Sequence, residues 1–179
     1  MSAVATTVIP AGTWAADPVH STVGFEVRYV VASFRGEFEA FSATLEGGSD
    51  PSLTGSVDVA SVQISEENLA GHLLAPDFFD AERFPQITFR STSFEQNGDE
   101  LTIAGEISLK GQTHPAEIRG TITGPTGDAH GGERVGLSLT ASIDRTQFGV
   151  SWNADLPSGE KALSDTVKLV AELSLVKQS

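Results

Sequence analysis

Apolar and polar residues alternate with a period of two through most of the chain, most clearly in "TVGFEVRY" at residues 22–29. Strict alternation is typical of β-strands that bury one face and expose the other. The phase of the pattern changes at Ala40–Phe41 and at Ala60–Ser61, as it does at a β-bulge. The pattern predicts eight strands, at residues 22–29, 34–45, 57–64, 87–89, 101–109, 116–122, 135–143 and 167–175.

Turn residues join most of these strands by short links, and short links connect antiparallel neighbours. Two longer links break the meander, at residues 65–85 and 145–165. The first predicts one short helix, with Ser65 as N-cap and Leu69 and Leu73 on one face, followed by a long crossover loop. Without a long helix to cover a flat sheet, eight such strands favour closure into an all-β antiparallel barrel.

Composition restricts the partners of this barrel. The chain has 179 residues, a formal net charge of −13 and a pI near 4.5, which opposes nucleic acid as a partner and disfavours anionic membrane surfaces. Cysteine is absent, which excludes a disulfide framework, a thiolate zinc site and a thiol nucleophile.

The length predicts a single domain over residues 1–179, with residues 1–12 as a flexible N-terminal segment. The first residues carry no Lys or Arg before a mildly apolar stretch that Pro10 and Gly12 interrupt, unlike a signal peptide. No window approaches the roughly 18 apolar residues of a spanning helix. We therefore expect a cytoplasmic protein without stable membrane insertion.

Three glycines, Gly36, Gly105 and Gly120, fall on the apolar face of their strands. One interpretation is that they allow the strands to bend or approach closely. The other is that their missing side chains leave an open lumen.

The polar residues offer few candidates for chemistry. His20 and Ser21 point to opposite faces if a strand begins there, so they cannot form a dyad with each other. The four histidines show no spacing that would place two on one metal. The acidic group Asp77, Asp80 and Glu82 lacks the spacing of a calcium loop and is more typical of helix caps. No metal site and no catalytic residue is therefore assigned.

The crossover also carries three phenylalanines within seven residues, Phe78, Phe79 and Phe84. Large apolar groups of this kind must enter the end of the barrel or contact a partner. Core packing and a hydrophobic lid both remain open.

The chain resembles the YceI-like polyisoprenoid-binding proteins from about Trp14 to Val176. The resemblance lies in the order and spacing of four stretches, "WAADPVHSTVGFEVR", "HLLAPDFFDAERFPQITFRST", "GEISLKGQTHPAEI" and "IDRTQFGVSW". It implies a lipocalin-like, eight-stranded antiparallel barrel that holds an isoprenoid or similar long-chain lipid without chemistry. The positions that match the family's motifs are His20, Ser21, His72, Phe78, Phe79, Asp80, Pro85, Phe89, Arg145, Phe148 and Gly149.

The chain departs from the family at Tyr29, where relatives often have histidine, and at Leu69–Ala70, where an Arg-Asp pair is usual. Both changes make the surroundings more apolar.

We therefore expect a non-enzymatic protein that binds, stores or transports a long-chain isoprenoid or similar amphiphilic lipid. It needs no cofactor other than a bound lipid or quinone, and a homodimer remains open. The expected lumen and lid residues are Phe25, Val27, Tyr29, Phe38, Val59, Leu69, Leu73, Phe78, Phe79, Phe84, Phe89, Ile103, Gly105, Ile107, Gly120, Leu139, Phe148 and Trp152. The residues expected at a polar mouth are His20, Ser21, His72 and Arg145.

Two alternatives stand beside this interpretation. One is a small-molecule isomerase or hydrolase that uses His20 or His72 as general base. The other is a structural or interaction barrel with a packed interior.

Overall fold

The computed structural model describes residues 9–64, 72–76 and 78–178, most of which lie in strands. Two 3-10 helices, Val59–Ser61 and Arg145–Phe148, interrupt them, and no helix in these ranges is long and apolar enough to cross a membrane. The strands are β1 Ile9–Ala16, β2 Thr22–Tyr29, β3 Ala32–Phe38, β4 Phe41–Gly48, β5 Ser52–Asp58, β6 Val62–Gln63, β7 Gln86–Asn97, β8 Glu100–Leu109, β9 Gln112–Gly127, β10 Glu133–Asp144 and β11 Leu163–Lys177.

These segments close into one antiparallel barrel of eight strands, as the alternation predicts. Around the ring the order is β1, β4, β5, β7, β8, β9, β10 and β11, and β11 returns to β1 by pairing Leu175 with Ala16. β2 also pairs with β11, and β3 pairs with both β2 and β6. Closure leaves the barrel without a free edge along most of its height.

Three of the eight strands are bent, because each consists of two segments: β1 with β2, β3 with β4, and β5 with β6. The second and third breaks coincide with the phase changes seen in the sequence. The break before Phe41 is a two-residue bend, and the break at Ala60–Ser61 is the 3-10 helix rather than a β-bulge. Each break returns the apolar side chains to the inside of the barrel.

The N-terminal segment differs from the flexible stretch expected over residues 1–12. Residues 9–12 belong to β1, and Ile9 and Trp14 are buried in the core. Pro10 and Gly12 interrupt the alternation of apolar residues, so the sequence pattern did not predict this strand. At this point the pairing of β1 with β4 shifts register between Ile9 and Thr13, and Gly12 has a φ of +116°. Residues 1–8 lie outside the described residues.

The crossover between β6 and β7 is only partly described. His72–Leu74 are helical, whereas Ser65 and Leu69 of the predicted helix lie outside the described residues. Beyond the helix the chain turns tightly at Asp80, whose carbonyl accepts hydrogen bonds from the backbone N–H groups of Arg83 and Phe84.

Inward-facing side chains form two apolar clusters, one toward each end of the barrel. The closed end, around Trp14, Leu45, Val135 and Leu175, excludes solvent completely. The opposite end, where β11 begins and the crossover packs, is called the crossover end below. Between the clusters several apolar side chains on the inner face are only half-buried, which shows that the interior is not filled: Val23, Ile87, Phe89, Leu169 and Ala171.

Candidate functional site

The middle of the barrel holds an apolar cavity of about 150 Å³, called the central cavity. β2, β3, β4, β5, β7, β8, β9, β10 and β11 all contribute residues to its wall, among them Phe89, Leu139 and Ala171. The polar residues among the described lining are Ser and Thr, which are neutral. A space of this kind favours apolar carbon over water, because apolar cavities of this size stay dry.

A second apolar cavity of about 70 Å³, called the end cavity, lies at the crossover end. Leu73, Phe78 and Phe79 of the crossover cover it and are called the roof. The two cavities share four lining residues, called the waist: Phe38, Ile87, Ile107 and Leu169. The cavities are thus two parts of one interior, separated by side chains rather than by backbone.

Aromatic contacts fix the roof on the barrel. The Phe79 ring lies 6.3 Å from both the Phe25 and the Phe38 rings, centroid to centroid, and meets each at a steep angle. Phe78 lies 5.4 Å from Trp152 and 4.7 Å from the His72 ring. Edge-to-face pairs add to the gain from apolar burial, so the roof is packed against the barrel.

Arg145 lines the end cavity but is occupied by backbone. Its guanidinium is buried and donates hydrogen bonds to the carbonyl oxygens of Ser164 at 2.8 Å, Val150 at 2.7 Å and Trp152 at 2.9 Å, with a longer one to Leu163 at 3.4 Å. Burial lowers the pKa of Arg145. The residue therefore ties the link between β10 and β11 to the start of β11, and it is the charged group in the end-cavity wall.

His20 and Ser21 lie far from Arg145, in the bend between β1 and β2. The exposed His20 Nδ1 donates to Asp17 at 2.7 Å, and the buried Ser21 hydroxyl accepts from the backbone N–H of Ser174 at 2.9 Å. Asp17 also accepts a hydrogen bond from Arg134, and the bonds from His20, Arg134 and the Val19 N–H hold its pKa well below 3.8. These polar contacts fasten the bend to the barrel wall.

The four residues expected at one polar mouth are thus divided between two places. The His72 ring contacts the Phe78 ring and, at 4.9 Å, the Trp152 ring edge to face at the crossover end, where Arg145 also lies. Along β11, Ser174 beside the bend is eleven positions from Leu163, roughly 36 Å at about 3.3 Å per residue.

Half of the expected lumen residues line a cavity: Phe25, Val27, Phe38, Leu73, Phe78, Phe79, Phe89, Ile107 and Leu139. Others are buried without lining one: Val59, Ile103 and Phe148. Trp152 stands beside the roof, and Leu69 lies outside the described residues.

Tyr29 and Phe84 do not face the interior. Tyr29 is the last residue of β2, next to the turn that leads to β3, and is 49% exposed. Phe84 packs its ring over the Lys110–Gly111 turn, outside both cavities.

The acidic group of the crossover is structural where it is described. Asp80 is buried and bonded to Arg83 at 2.6 Å, and Glu82 is exposed, whereas Asp77 lies outside the described residues. Within the described ranges no group of three His, Asp or Glu residues could hold a metal ion.

The inward glycines provide room for neighbouring atoms rather than for a ligand. A Cβ on Gly120 would lie 1.8 Å from the Ser138 carbonyl oxygen, and a Cβ on Gly105 would lie 2.5 Å from the Phe89 ring. On Gly36 it would lie 2.6 Å from the Phe25 ring, which is its direct neighbour across β2 and β3. Of the two interpretations of these glycines, the structure therefore supports close approach of neighbouring backbone and side chains rather than an open lumen.

Replacing Gly36 by alanine should force the Phe25 ring into the end cavity that it lines. Overpacking of this kind costs about 1–3 kcal/mol of unfolding free energy, and it should lower ligand affinity as well. Chemical denaturation checks the first effect. Gly136→Ala is the control, because the nearest atom to its new Cβ would be 3.7 Å away. Equal effects of the two substitutions would contradict the role assigned to Gly36.

Other lining residues were not singled out in the sequence. Val57, Ile87, Val167 and Leu169 occupy inward positions that the alternation already identified, but nothing in the pattern separated cavity wall from packed core. Val150 lies in the irregular link after β10, where no periodic signal exists.

A closed antiparallel barrel with a roofed apolar interior belongs to the lipocalin-like class. The YceI-like domain model matches residues 14–175, so the chain belongs to the YceI-like family.

Relatives and solved structures agree with this assignment. The chain is 28% identical over 158 residues to Protein YceI of Escherichia coli O157:H7. The matched region covers 86% of this chain and 83% of that protein. Burkholderia cenocepacia BcnA has the same fold with a TM-score of 0.75 at 20% identity, covering 91% of this chain and 99% of BcnA. A protein described as a polyisoprenoid binding domain, from Saccharophagus degradans, matches with a TM-score of 0.70 at 10% identity, covering 94% of this chain and all of that one, 100%.

Proposed function

We propose that the barrel binds the hydrocarbon chain of an isoprenoid or similar long-chain amphiphilic lipid in the joined central and end cavities, and stores or carries it. The observation that carries this proposal is the apolar interior, whose two cavities share four lining residues and whose central wall is formed by nine strand segments. The description of the Saccharophagus relative as polyisoprenoid-binding supports the class of ligand.

The driving force is the removal of hydrocarbon from water, about 0.8 kcal/mol for each methylene buried. A cavity of 150 Å³ is the size that accommodates a benzene-sized group. A longer chain must therefore pass the waist and enter the end cavity, and the roof must yield as it does so. Because the closed end excludes solvent and the crossover end is covered by the side chains of the roof, the polar end of an amphiphile is best placed at the crossover end.

The proposal includes binding and no chemical step. Neither His20 nor His72 lines a cavity, and the described wall residues contain no histidine or carboxylate that could act as a general base. The alternative of a packed barrel conflicts with the two cavities.

Solvent extraction of the purified protein followed by mass spectrometry tests the proposal. We expect a long-chain lipid at a fixed ratio to protein, and saturable binding of added prenyl alcohol after delipidation. A protein that contains no lipid and binds neither prenyl alcohols nor fatty amides would contradict the proposal.

Lys110 should act as a latch for the roof. Its ammonium donates to the carbonyl oxygens of Pro76 in the crossover, at 2.5 Å, and of Gly149 after β10, at 3.2 Å. Charge-assisted bonds of this kind contribute about 1.5–3 kcal/mol at most, so Lys110→Met should speed release of a bound fluorescent prenyl probe roughly tenfold with a smaller effect on stability.

Stopped-flow displacement of the probe measures this rate. Lys161→Met is the matched control, since Lys161 pairs with the exposed Asp155. An unchanged release rate in Lys110→Met would show that the roof is held by its aromatic contacts alone.

A further inference from the structure

The tip of the hairpin between β2 and β3 exposes three consecutive apolar residues, Tyr29, Val30 and Val31, called the hairpin tip. Their exposed fractions are 49%, 40% and 84%. Single exposed apolar residues are common on soluble proteins, but a run of this kind indicates a contact surface.

The backbone of the hairpin tip is unfavourable for its sequence. Val30 has a φ of +59°, in the left-handed region where a β-branched residue is a true outlier and where Gly or Asn is usual in hairpins. The Val30 N–H donates to the Ala162 carbonyl at 2.7 Å, which fixes the turn against the start of β11. A strained turn that carries exposed valines indicates a functional constraint rather than a stability optimum.

The hairpin tip stands beside the end cavity. Tyr29 pairs with Leu163, and both Leu163 and Val27 line that cavity. A surface that the tip contacts would therefore lie next to the roof.

The charge of this segment differs from that of the protein as a whole. Residues 27–36, "VRYVVASFRG", contain two arginines and no carboxylate, in a chain whose net charge is −13. Arg28 is exposed, and Arg35 is 78% exposed although it is bonded to Glu26. Since charges beyond about 10 Å are screened at physiological salt, lipid phosphates near the tip would meet these arginines before most of the acidic surface.

We propose that the hairpin tip docks on a phospholipid bilayer, with Val30 and Val31 entering the boundary between headgroups and acyl chains and Tyr29 at the headgroup level. Tyr is suited to this level because its ring is apolar and its hydroxyl is polar. Docking places the end cavity at the surface from which a lipid must be extracted. The inference rests on the proposed function, because docking would serve lipid extraction. Vesicle binding, however, can be measured whether or not the barrel binds a lipid.

The test compares two exposed valines in flotation assays with phosphatidylcholine vesicles, with and without phosphatidylglycerol. Val31 in the tip is 84% exposed, and Val19 in the bend between β1 and β2 is 83% exposed. Burying one valine is worth about 1.5 kcal/mol or more, so Val31→Asp should lower vesicle partitioning roughly tenfold. Val19→Asp adds the same charge and should leave partitioning unchanged.

Absence of wild-type binding to either vesicle, or an equal loss in both variants, overturns docking by the tip. A wild-type dimer in sedimentation velocity that Val31→Asp converts to monomer, without an effect on vesicles, would assign the tip to a second copy of the chain and also overturn it. Binding of soluble farnesol is measured in parallel and should be unchanged in Val31→Asp. If the wild-type protein binds vesicles but does not bind farnesol, the result would contradict only the proposed function.

Discussion

Phenylalanine at position 171 should exclude ligand from the barrel and leave the barrel folded. Ala171 on β11 pairs with Leu139 and Val23, faces the central cavity and is only half-buried. A cavity of 150 Å³ has room for one benzene-sized ring, so the new side chain can fill it with little strain. Displacing three or four methylenes of ligand, at about 0.8 kcal/mol each, should weaken binding roughly a hundredfold.

Extraction with mass spectrometry and titration with a prenyl alcohol measure the effect of Ala171→Phe. Ala104→Phe is the matched control, because Ala104 lies on β8 opposite Glu117, on the outer face of the barrel. The control should retain its lipid. A folded Ala171→Phe protein with normal lipid content would show that the ligand binds elsewhere, and an unfolded one would show that the interior has no room for the ring.

Arg145→Met should produce the largest loss of stability of the substitutions considered. Arg145 is 3% exposed, and its guanidinium donates hydrogen bonds to the carbonyl groups of Val150, Trp152, Leu163 and Ser164. Methionine fills similar space but donates nothing, so the carbonyls of Val150, Trp152 and Ser164 lose this donor away from water. The Leu163 carbonyl keeps its hydrogen bond from the Asn153 side chain, at 2.7 Å. Removing one member of such a buried polar group costs about 3–5 kcal/mol, and Tm should fall by roughly 10 °C.

Arg145→Lys should recover little of this stability, because an ammonium cannot reproduce the planar fork that contacts several carbonyls. Arg119→Met is the control: Arg119 is 74% exposed, bonded to Glu117, and should change stability by less than about 0.5 kcal/mol. Urea unfolding of the three variants gives the comparison. A loss below 1 kcal/mol in Arg145→Met would mean that water reaches these carbonyls.

The alternation of apolar residues was sufficient to predict the barrel because each strand buries one face. A one-residue shift moves every side chain of a strand to the other face, so the pattern fixes the strands and even the phase changes near Ala40 and Ala60. β1 was missed for the same reason, since Pro10 and Gly12 disturb the alternation although Ile9 and Trp14 are buried.

The candidate site was less predictable because it depends on distances between remote segments. His20 and Arg145 are both polar residues next to apolar strands, and no local pattern shows that one lies in the bend beside Ser174 and the other at the end cavity. The glycines show a similar limit. Their position on the apolar face predicted either close approach or an open space. Only the structure shows that the Phe89 and Phe25 rings occupy the space beside Gly105 and Gly36.

The order of the strands around the ring also has a consequence for how the chain folds. β7, β8, β9, β10 and β11 are neighbours both in sequence and in space, whereas closure requires β11 to pair with β1 and β2 from the other end of the chain. Loop closure over long separations is entropically costly and slow. The meander of β7–β11 should therefore form the folding nucleus, and the N-terminal strands should be the last to gain protection in pulse-labelled hydrogen exchange. Until they dock, the apolar interior is an open sheet with a hydrophobic face, which makes this interval the one in which the chain is most prone to aggregate.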